Sequence, residues 1–253
     1  MTNLYAQAGA GEPPPPLPIP ERALTIGAHP DDAEFGAGGT IAKWAEAGCE
    51  VSMLILTDGS KGSWDLGEVP AELAERRAAE QDRAAAVLAA AQVVMLDYVD
   101  GELVYDLNLR ADVCRWIRRL RPTVVLSHDP WRRYMLHPDH RAAGWATVDG
   151  VVAARDHLFF PEQISDGLGK HRPEAILLWA PDAPNHWEDV SASFETKIEA
   201  LLCHSSQART TMGDAIQSAE AREGFVARIR DWSAQQGTPA GMEIAEAFRL
   251  IRP

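Results

Sequence analysis

Short apolar runs alternate along the chain with longer segments whose apolar residues recur at helical spacing. The runs have the length and continuous apolar character of strands buried on both faces of a parallel sheet. We predict strands at residues 23–28, 51–57, 93–96, 123–127 and 175–179. Residues 71–91, rich in Ala, Glu, Arg and Leu, and residues 109–120 are predicted helices, and another helix begins near Pro138. Such repeated alternation of strand and helix implies right-handed crossovers. The pattern predicts an α/β fold, a Rossmann-like, doubly wound, mostly parallel sheet with helices on both faces.

The two ends of the chain depart from this alternation. Residues 1–20 are rich in proline and predict a flexible leader, which leaves residues 21–253 as a single domain. Towards the C-terminus the pattern becomes helical, with helices predicted at residues 194–202 and 215–232. No linker precedes them, so we expect a C-terminal helical extension of the same domain. The final run, residues 244–251, fits either a helix or an edge strand.

The overall composition excludes several classes of protein. With 46% hydrophobic and 24% charged residues the chain has the composition of a globular protein. Its net charge of −13 argues against a nucleic-acid partner, because phosphate neutralisation needs clustered Lys and Arg. Cys49, Cys114 and Cys203 are far apart, so neither a disulfide framework nor a thiolate metal site is expected. The sequence shows neither a signal peptide nor a long uncharged apolar stretch, which predicts a cytoplasmic protein without a membrane span.

Aspartates and histidines cluster where the predicted strands end. In open α/β sheets, ligands bind in the crevice outside the carboxyl ends of the strands. Imidazole and carboxylate together are a donor mixture that suits zinc. The residues at these ends are His29, Asp31 and Asp32 after the first strand, Asp58 after the second, Asp97 and Asp100 after the third, and His128, Asp129, His137, Asp139 and His140 after the fourth. The sequence therefore predicts a metal site along this edge.

Two four-residue segments, HPDD at residues 29–32 and HPDH at residues 137–140, supply the candidate ligands. His29 and Asp32 lie three apart across a turn stiffened by proline, so that imidazole and carboxylate can converge on one ion. In HPDH the proline suits the first turn of a helix, which would present His140 from that turn. Two histidines and one carboxylate leave a coordination position open to water, and open coordination is typical of catalytic zinc.

With these segments stand GGT at residues 38–40, TDG at residues 57–59 and DGEL at residues 100–103. A later pattern comprises Lys197, Ala200, His204, Ser206 and Gln207. In this order the motifs resemble the LmbE-like, or PIG-L, family of zinc-dependent N-deacetylases, and the likeness runs from about residue 23 to residue 207. The resemblance implies a hydrolase that removes an acyl group, typically acetyl, from the amine of a small N-acylated amino sugar or sugar–thiol conjugate.

Carried over residue by residue, the resemblance implies that His29, Asp32 and His140 bind Zn²⁺, and Fe²⁺ or another divalent ion fits the same donors. It implies that Asp31 is the general base and that His137 assists as an electrostatic or acid group. This agrees with general chemistry, because zinc can lower the pKa of water from 15.7 to about 7 while a nearby carboxylate takes the proton.

Further residues are predicted around this centre. Arg77 and Asp100 match positions where the family contacts the sugar-like part of its substrate. His128 and Asp129 either orient a zinc ligand or simply end a strand. One departure is Met135, which stands where some members have a tyrosine that helps to polarise the carbonyl group.

A different class of function stays open at this point. The Gly-rich residues 36–39 follow a strand and suggest a nucleotide-binding Rossmann module without hydrolytic activity, although they lack the G-x-G-x-x-G order and also suit close helix packing. The expected partner is a small molecule, and a homo-oligomer is compatible with the sequence. With Asp58, Asp97, Asp100 and Asp129 nearby, we expect the pocket mouth to prefer neutral, polyhydroxylated substrates.

Overall fold

The computed structural model describes residues 17–213 and 218–253, so most of the predicted leader lies outside the described residues. A sheet of seven strands forms its centre. The strands are β1 (Arg22–Gly27), β2 (Glu50–Thr57), β3 (Gln92–Tyr98), β4 (Val124–His128), β5 (Ala175–Trp179), β6 (His186–Asp189) and β7 (Ala245–Ile251). Their spatial order is β3-β2-β1-β4-β5-β7-β6. The strands from β3 to β5 pair in parallel, whereas β7 is antiparallel to both β5 and β6. The predicted mostly parallel sheet is confirmed.

Helices cover both faces of this sheet. They are α1 (Asp32–Glu46), α2 (Pro70–Val87), α3 (Leu107–Leu120), α4 (Pro138–Ala154), α5 (Pro161–Ser165), α6 (Phe194–Leu202) and α7 (Ala219–Gly237). Met53 of β2 packs in a core with residues of α1 and α2, while its neighbour Leu54 packs in a core with residues of α3 and α4. Because successive residues of a strand point to opposite faces, both must be apolar, which explains the continuous apolar runs. None of the helices within residues 17–213 and 218–253 is long and apolar enough to cross a membrane.

Three details differ from the sequence prediction. Of the two alternatives for residues 244–251, the strand is confirmed, as β7, and the helix is wrong, but β7 lies between β5 and β6 and not at an edge. Strand β6 was missed because its sequence, HWED, contains no apolar run. The predicted helix at residues 215–232 corresponds to α7, which begins at Ala219, and residues 214–217 lie outside the described residues.

The Gly-rich residues 36–39 lie inside α1, not in a loop before it. A Cβ on Gly36 would sit 2.5 Å from Trp179, and one on Gly39 would sit 2.7 Å from Val190. The helix is bent at Ala37, and the carboxylate of Glu246 accepts the backbone N–H of Gly39 (2.9 Å) just beyond the bend. These glycines therefore allow α1 to pack closely on β5 and the C-terminal segments.

The parallel part of the sheet changes direction of winding between β1 and β4. These two strands pair directly, and the chain proceeds from β1 to β2 on one side and from β4 to β5 on the other. In doubly wound folds this switch point opens a crevice at the carboxyl ends of the strands. The crevice here lies between the segment that follows β1 and the end of β4.

Candidate metal centre and active site

A cleft of about 520 Å³ opens at this switch point. Of the residues to which the sequence analysis gave a ligand, catalytic, substrate or orienting role, all but Asp129 line it: His29, Asp31, Asp32, Arg77, Asp100, His128, His137 and His140. The HPDD segment connects β1 to α1, and the HPDH segment begins α4. Two motifs that lie more than a hundred residues apart in sequence thus meet across the cleft.

The donor groups of three residues in these motifs converge. Nδ1 of His29 lies 3.4 Å from Oδ2 of Asp32 and 3.2 Å from Nε2 of His140. Nε2 of His140 lies 3.2 Å from Oδ1 of Asp32. Ligand atoms that bind one zinc ion at about 2.0–2.2 Å are roughly 3 to 3.5 Å apart. This donor set therefore fits a single divalent cation.

His29 presents its other ring nitrogen to two buried carboxylates. Nε2 lies 3.1 Å from Oδ2 of Asp139 and 3.3 Å from Oδ1 of Asp100. Burial opposes the charged imidazole, yet these carboxylates hold the pKa of His29 well above its ordinary value. A proton on Nε2 leaves the Nδ1 lone pair free towards Asp32 and His140, which is how a carboxylate behind a metal-binding histidine orients the ring.

Asp139 was not assigned a role in the sequence analysis. It is fully buried, and its carboxylate also accepts the backbone N–H groups of Gly101 (2.7 Å) and Leu103 (3.3 Å). It thus joins the DGEL segment to the HPDH motif. The one sequence signal that points to it is its place inside HPDH, next to a candidate ligand.

His128 and Trp179 position the carboxylate of Asp32. The indole N–H of Trp179 donates to Nδ1 of His128 (3.1 Å), which leaves the proton on Nε2, 3.0 Å from Oδ2 of Asp32. Burial lowers the pKa of His128 to about 4, consistent with a neutral ring. Although burial alone would raise it, the neighbouring His140 and His128 hold the pKa of Asp32 well below its usual range. His128 therefore lies behind a candidate ligand, as one of the two sequence readings expected.

For Asp129 the contacts favour the second alternative, that the residue simply ends a strand. Its carboxylate accepts the backbone N–H of Trp131 (2.9 Å), which closes the turn after β4. Among the contacts of the described residues, it makes no hydrogen bond or ion pair to His29, Asp32 or His140. Its geometry therefore does not support a role in orienting a metal ligand.

Asp31 occupies the turn between β1 and α1 and lines the cleft. The nearest cationic atom is Nη2 of Arg77, 3.7 Å from its Oδ2. Burial raises the pKa of Asp31 to about 6, although the guanidinium of Arg77 opposes this rise. A carboxyl group that titrates near neutrality suits proton transfer at physiological pH.

His137 lies at the N-cap of α4, where its Nδ1 accepts the backbone N–H of Asp139 (3.3 Å). In the neutral ring this places the proton on Nε2. Burial, together with the neighbouring His29 and His140, lowers the pKa of His137. Its ring centroid lies 4.5 Å from that of His29 and 4.7 Å from that of His140. The residue is a helix cap and also a neutral hydrogen-bond donor in the cleft.

Arg77 and Asp100 both reach the cleft, but their described contacts are with the protein. Arg77 donates to the carbonyl oxygens of Gly59 (3.0 Å) and Pro30 (2.6 Å), which ties together the segments that follow β1 and β2. Asp100 faces His29 and accepts the backbone N–H of Lys61 (3.1 Å). Both residues therefore stabilise the segments that surround the site. Contact of either residue with the substrate stays a prediction.

The mouth of the cleft is not the ring of carboxylates that we expected. Of the four aspartates predicted there, only Asp100 lines the cleft as the described residues form it. Asp58 instead accepts backbone N–H groups of Ser60 and Asp100. Lys61 and Arg132 line the cleft, as do four aromatic residues, Phe35, Trp64, Trp179 and Trp232. Of the four aspartates on which the predicted preference for neutral substrates rested, Asp100 alone is thus at the cleft, and that preference stays a prediction.

Comparison with known proteins gives consistent matches. The family model described as GlcNAc-PI de-N-acetylase, PIG-L, matches residues 24–151. A diacetylchitobiose deacetylase from Thermococcus kodakarensis is 40% identical over 188 residues, 74% of this chain and 70% of that protein. A 1D-myo-inositol 2-acetamido-2-deoxy-alpha-D-glucopyranoside deacetylase from Kineococcus radiotolerans is 31% identical over 174 residues. That match covers 54% of this chain and only 46% of the Kineococcus protein, less than half of its length.

The fold also has a close counterpart among solved structures. The N,N'-diacetylchitobiose deacetylase from Pyrococcus horikoshii, solved in complex with its inhibitor MPG, superposes with a TM-score of 0.84 and 30% sequence identity. The superposition covers 92% of this chain and 84% of the Pyrococcus chain. The likeness therefore extends beyond residues 24–151 into the C-terminal segments that complete the sheet.

Proposed function

The chain belongs to the PIG-L, or LmbE-like, family of de-N-acetylases, and from this we propose that it is a metal-dependent hydrolase that removes the acetyl group from an N-acetylated amino sugar. The observation that carries the proposal is the convergence of His29, Asp32 and His140 within 3.2–3.4 Å of one another, beside a buried Asp31. The alternative, a nucleotide-binding module, has no support, because residues 36–39 are packing positions within α1.

We propose Zn²⁺ as the metal and His29, Asp32 and His140 as its protein ligands. Two imidazole nitrogens and one carboxylate oxygen suit zinc, and they also admit Fe²⁺. When bound, such an ion supplies Lewis acidity, which polarises an amide carbonyl and makes water a better nucleophile near neutral pH. Behind the ligands, Asp139 and His128 fix the orientation of His29 and Asp32.

In the proposed reaction Asp31 accepts a proton from the attacking water as the water oxygen bonds to the amide carbon. The tetrahedral species then loses its amine, and the C–N bond breaks as the nitrogen receives a proton. Asp31 returns to this nitrogen the proton that it took from the water. In its neutral form His137 carries a proton on Nε2 and can donate a hydrogen bond to the developing oxyanion. The products are acetate and a free amino sugar.

The cleft supports a small carbohydrate as substrate. Its volume of about 520 Å³ falls within the range of about 300–1,000 Å³ of small-molecule sites. Aromatic side chains such as Trp64 and Trp232 offer flat apolar faces to the C–H faces of sugar rings, and Lys61 and Arg132 offer donors to hydroxyl groups. We propose an N-acetylglucosamine-containing mono- or disaccharide, the class that the names of the relatives describe.

The test is amide hydrolysis by metal-free and reconstituted protein. Acetate and amine release would be measured with N-acetylglucosamine and N,N'-diacetylchitobiose after chelation and after addition of Zn²⁺, Fe²⁺ or Mg²⁺. We expect chelation to abolish turnover and Zn²⁺ to restore it. Turnover that ignores chelation, or affinity for a dinucleotide without any hydrolysis, would contradict the proposal.

A further inference from the structure

Asp31 and Asp32 are adjacent in sequence, yet their carboxylates face different partners. Asp32 faces His29, His128 and His140, whereas the ion pair described for Asp31 is with Arg77. The divergence arises at Asp31, whose backbone has φ 100° and ψ −21°. Residues with a Cβ avoid positive φ, and conformations of this kind persist only where surrounding structure imposes them.

Helix α2 supplies the groups that impose it. The backbone N–H of Asp31 donates to Oε1 of Gln81 (3.1 Å), and the preceding carbonyl, of Pro30, accepts from Arg77 (2.6 Å). Arg77 and Gln81 lie four residues apart, one turn of α2, so both point to the same side of the helix. Gln81 is fully buried. This one face of α2 therefore holds both the N–H and the C=O of the peptide group that joins Pro30 to Asp31.

The amide of Gln81 is itself fixed in one orientation. Its Nε2 donates to Oε1 of Glu34 (2.6 Å), and Glu34 is fully buried in the first turns of α1. Rotation of the amide by 180° would place an NH₂ group against the N–H of Asp31 and an oxygen against the carboxylate of Glu34. Both new contacts are repulsive in a site closed to water. Glu34 thus dictates that Gln81 presents an acceptor to Asp31.

We propose that Gln81, oriented by Glu34, is a positioning residue that holds Asp31 in the left-handed conformation from which its carboxylate reaches the reacting water. The inference rests on the proposed role of Asp31 as general base. Gln81 acts through the backbone and touches neither metal ligand nor substrate. Its removal should lower kcat while KM and bound zinc stay near their wild-type values, because its described hydrogen bonds go to Asp31 and Glu34 and not to the proposed ligands His29, Asp32 and His140.

The central variant is Gln81→Met, which keeps the length of the side chain and removes both hydrogen bonds. Misplacement of a catalytic group by about 1 Å can cost on the order of 10²-fold in rate. We expect a fall in kcat of roughly 10- to 100-fold. The matched control is Gln163→Met, since Gln163 is equally buried and bonded to Arg118 and the carbonyl of Ala111, remote from the cleft. The control should lower Tm without lowering kcat.

A second variant separates positioning from general destabilisation. In an Asp31→Asn background the base is already lost, so Gln81→Met should lower kcat no further. An equal fractional loss in both backgrounds would overturn the inference, as would a proportional loss of zinc. If Asp31→Asn itself kept zinc and full activity, the proposed role of Asp31 would fail first, and the two failures are thereby distinguished.

A crystal structure of the Gln81→Met protein gives a readout that needs no activity. We expect the φ of residue 31 to leave the positive region, or its carboxylate to move away from the cleft. An Asp31 that keeps φ near 100° with an unmoved carboxylate would overturn the inference even if no substrate had yet been found.

Discussion

The buried carboxylate of Asp139 offers the most direct test of how the protein tunes its proposed metal site. It accepts three hydrogen bonds, from Nε2 of His29 (3.1 Å) and from the backbone N–H groups of Gly101 (2.7 Å) and Leu103 (3.3 Å). Asp139→Asn keeps the shape of the side chain but replaces one acceptor oxygen by an NH₂ group. At least one of the three donors then faces another donor in a buried setting.

Asp139→Asn should have two effects that can be measured separately, one on metal affinity and one on stability. Loss of a partner behind a metal-binding histidine typically costs 10- to 100-fold in metal affinity. At about 1.4 kcal/mol per tenfold change, this corresponds to roughly 1.4–2.8 kcal/mol. A hydrogen bond to a charged group contributes about 1.5–3 kcal/mol to stability, so the free energy of unfolding of the metal-free protein should fall by a similar amount.

The assay is a competitive Zn²⁺ titration against a chelating indicator, with urea unfolding of the metal-free protein alongside. Glu188→Gln is the matched control. Glu188 lies on β6, away from the cleft, and its buried carboxylate is hydrogen-bonded to His186 (2.8 Å) and to Lys43 of α1 (2.8 Å). It should lose stability and keep its zinc affinity. If Asp139→Asn and Glu188→Gln lose stability equally and both bind zinc like the wild type, Asp139 has no part in tuning His29.

Three further predictions test the ligands, the base and the substrate. His29→Ala and His140→Ala should each lose bound metal and activity together, since each removes one of three proposed ligands; stoichiometric zinc by elemental analysis in either variant would show that the assigned triad is wrong. Asp31→Asn should keep zinc and lose on the order of 10²- to 10⁴-fold in kcat, the share of general-base catalysis, whereas Asp32→Asn should bind zinc weakly; near wild-type turnover of a zinc-loaded Asp31→Asn protein would remove Asp31 from the mechanism. Trp64 lines the cleft and is 68% exposed, so Trp64→Ala should raise KM for N,N'-diacetylchitobiose more than for N-acetylglucosamine, and an equal change for both sugars would argue against a stacking role.

The fold was largely predictable because its strands are buried on both faces. Strands such as β2 and β5 appear in the sequence as continuous apolar runs, and the predicted limits agree with the structure to within one residue. Strand β6 gives no such signal, because HWED contains no apolar run, and two of its four residues are not buried in the edge strand that they form beside β7. The place of β7 inside the sheet depends on pairings with β5 and β6, which no local pattern encodes.

The candidate site, like the fold, could be predicted from the sequence only in part. The candidate ligands and Asp31 lie within two compact motifs, so the spacing of these motifs together with the family resemblance was sufficient to name them. Asp139, Gln81 and Glu34 gain their importance from contacts across 47 to 110 positions of sequence, and spacing cannot reveal those. His137 shows the converse, because the proline that follows it predicts the start of a helix, and the structure places His137 at the N-cap of α4 with its ring lining the cleft.

The buried charges around the cleft affect both the stability of the protein and its proposed binding of metal. Four carboxylates, of Asp31, Asp32, Asp100 and Asp139, are at most 8% exposed. The guanidinium of Arg77 lies 3.7 Å from Asp31 and 3.8 Å from Asp100, and it supplies a single positive charge. Buried carboxylates are unfavourable unless they are paired or coordinate a cation. A divalent ion among these groups would offset much of the remaining negative charge, so the repulsion among Asp31, Asp32 and Asp100 in the metal-free protein becomes a source of its affinity for metal.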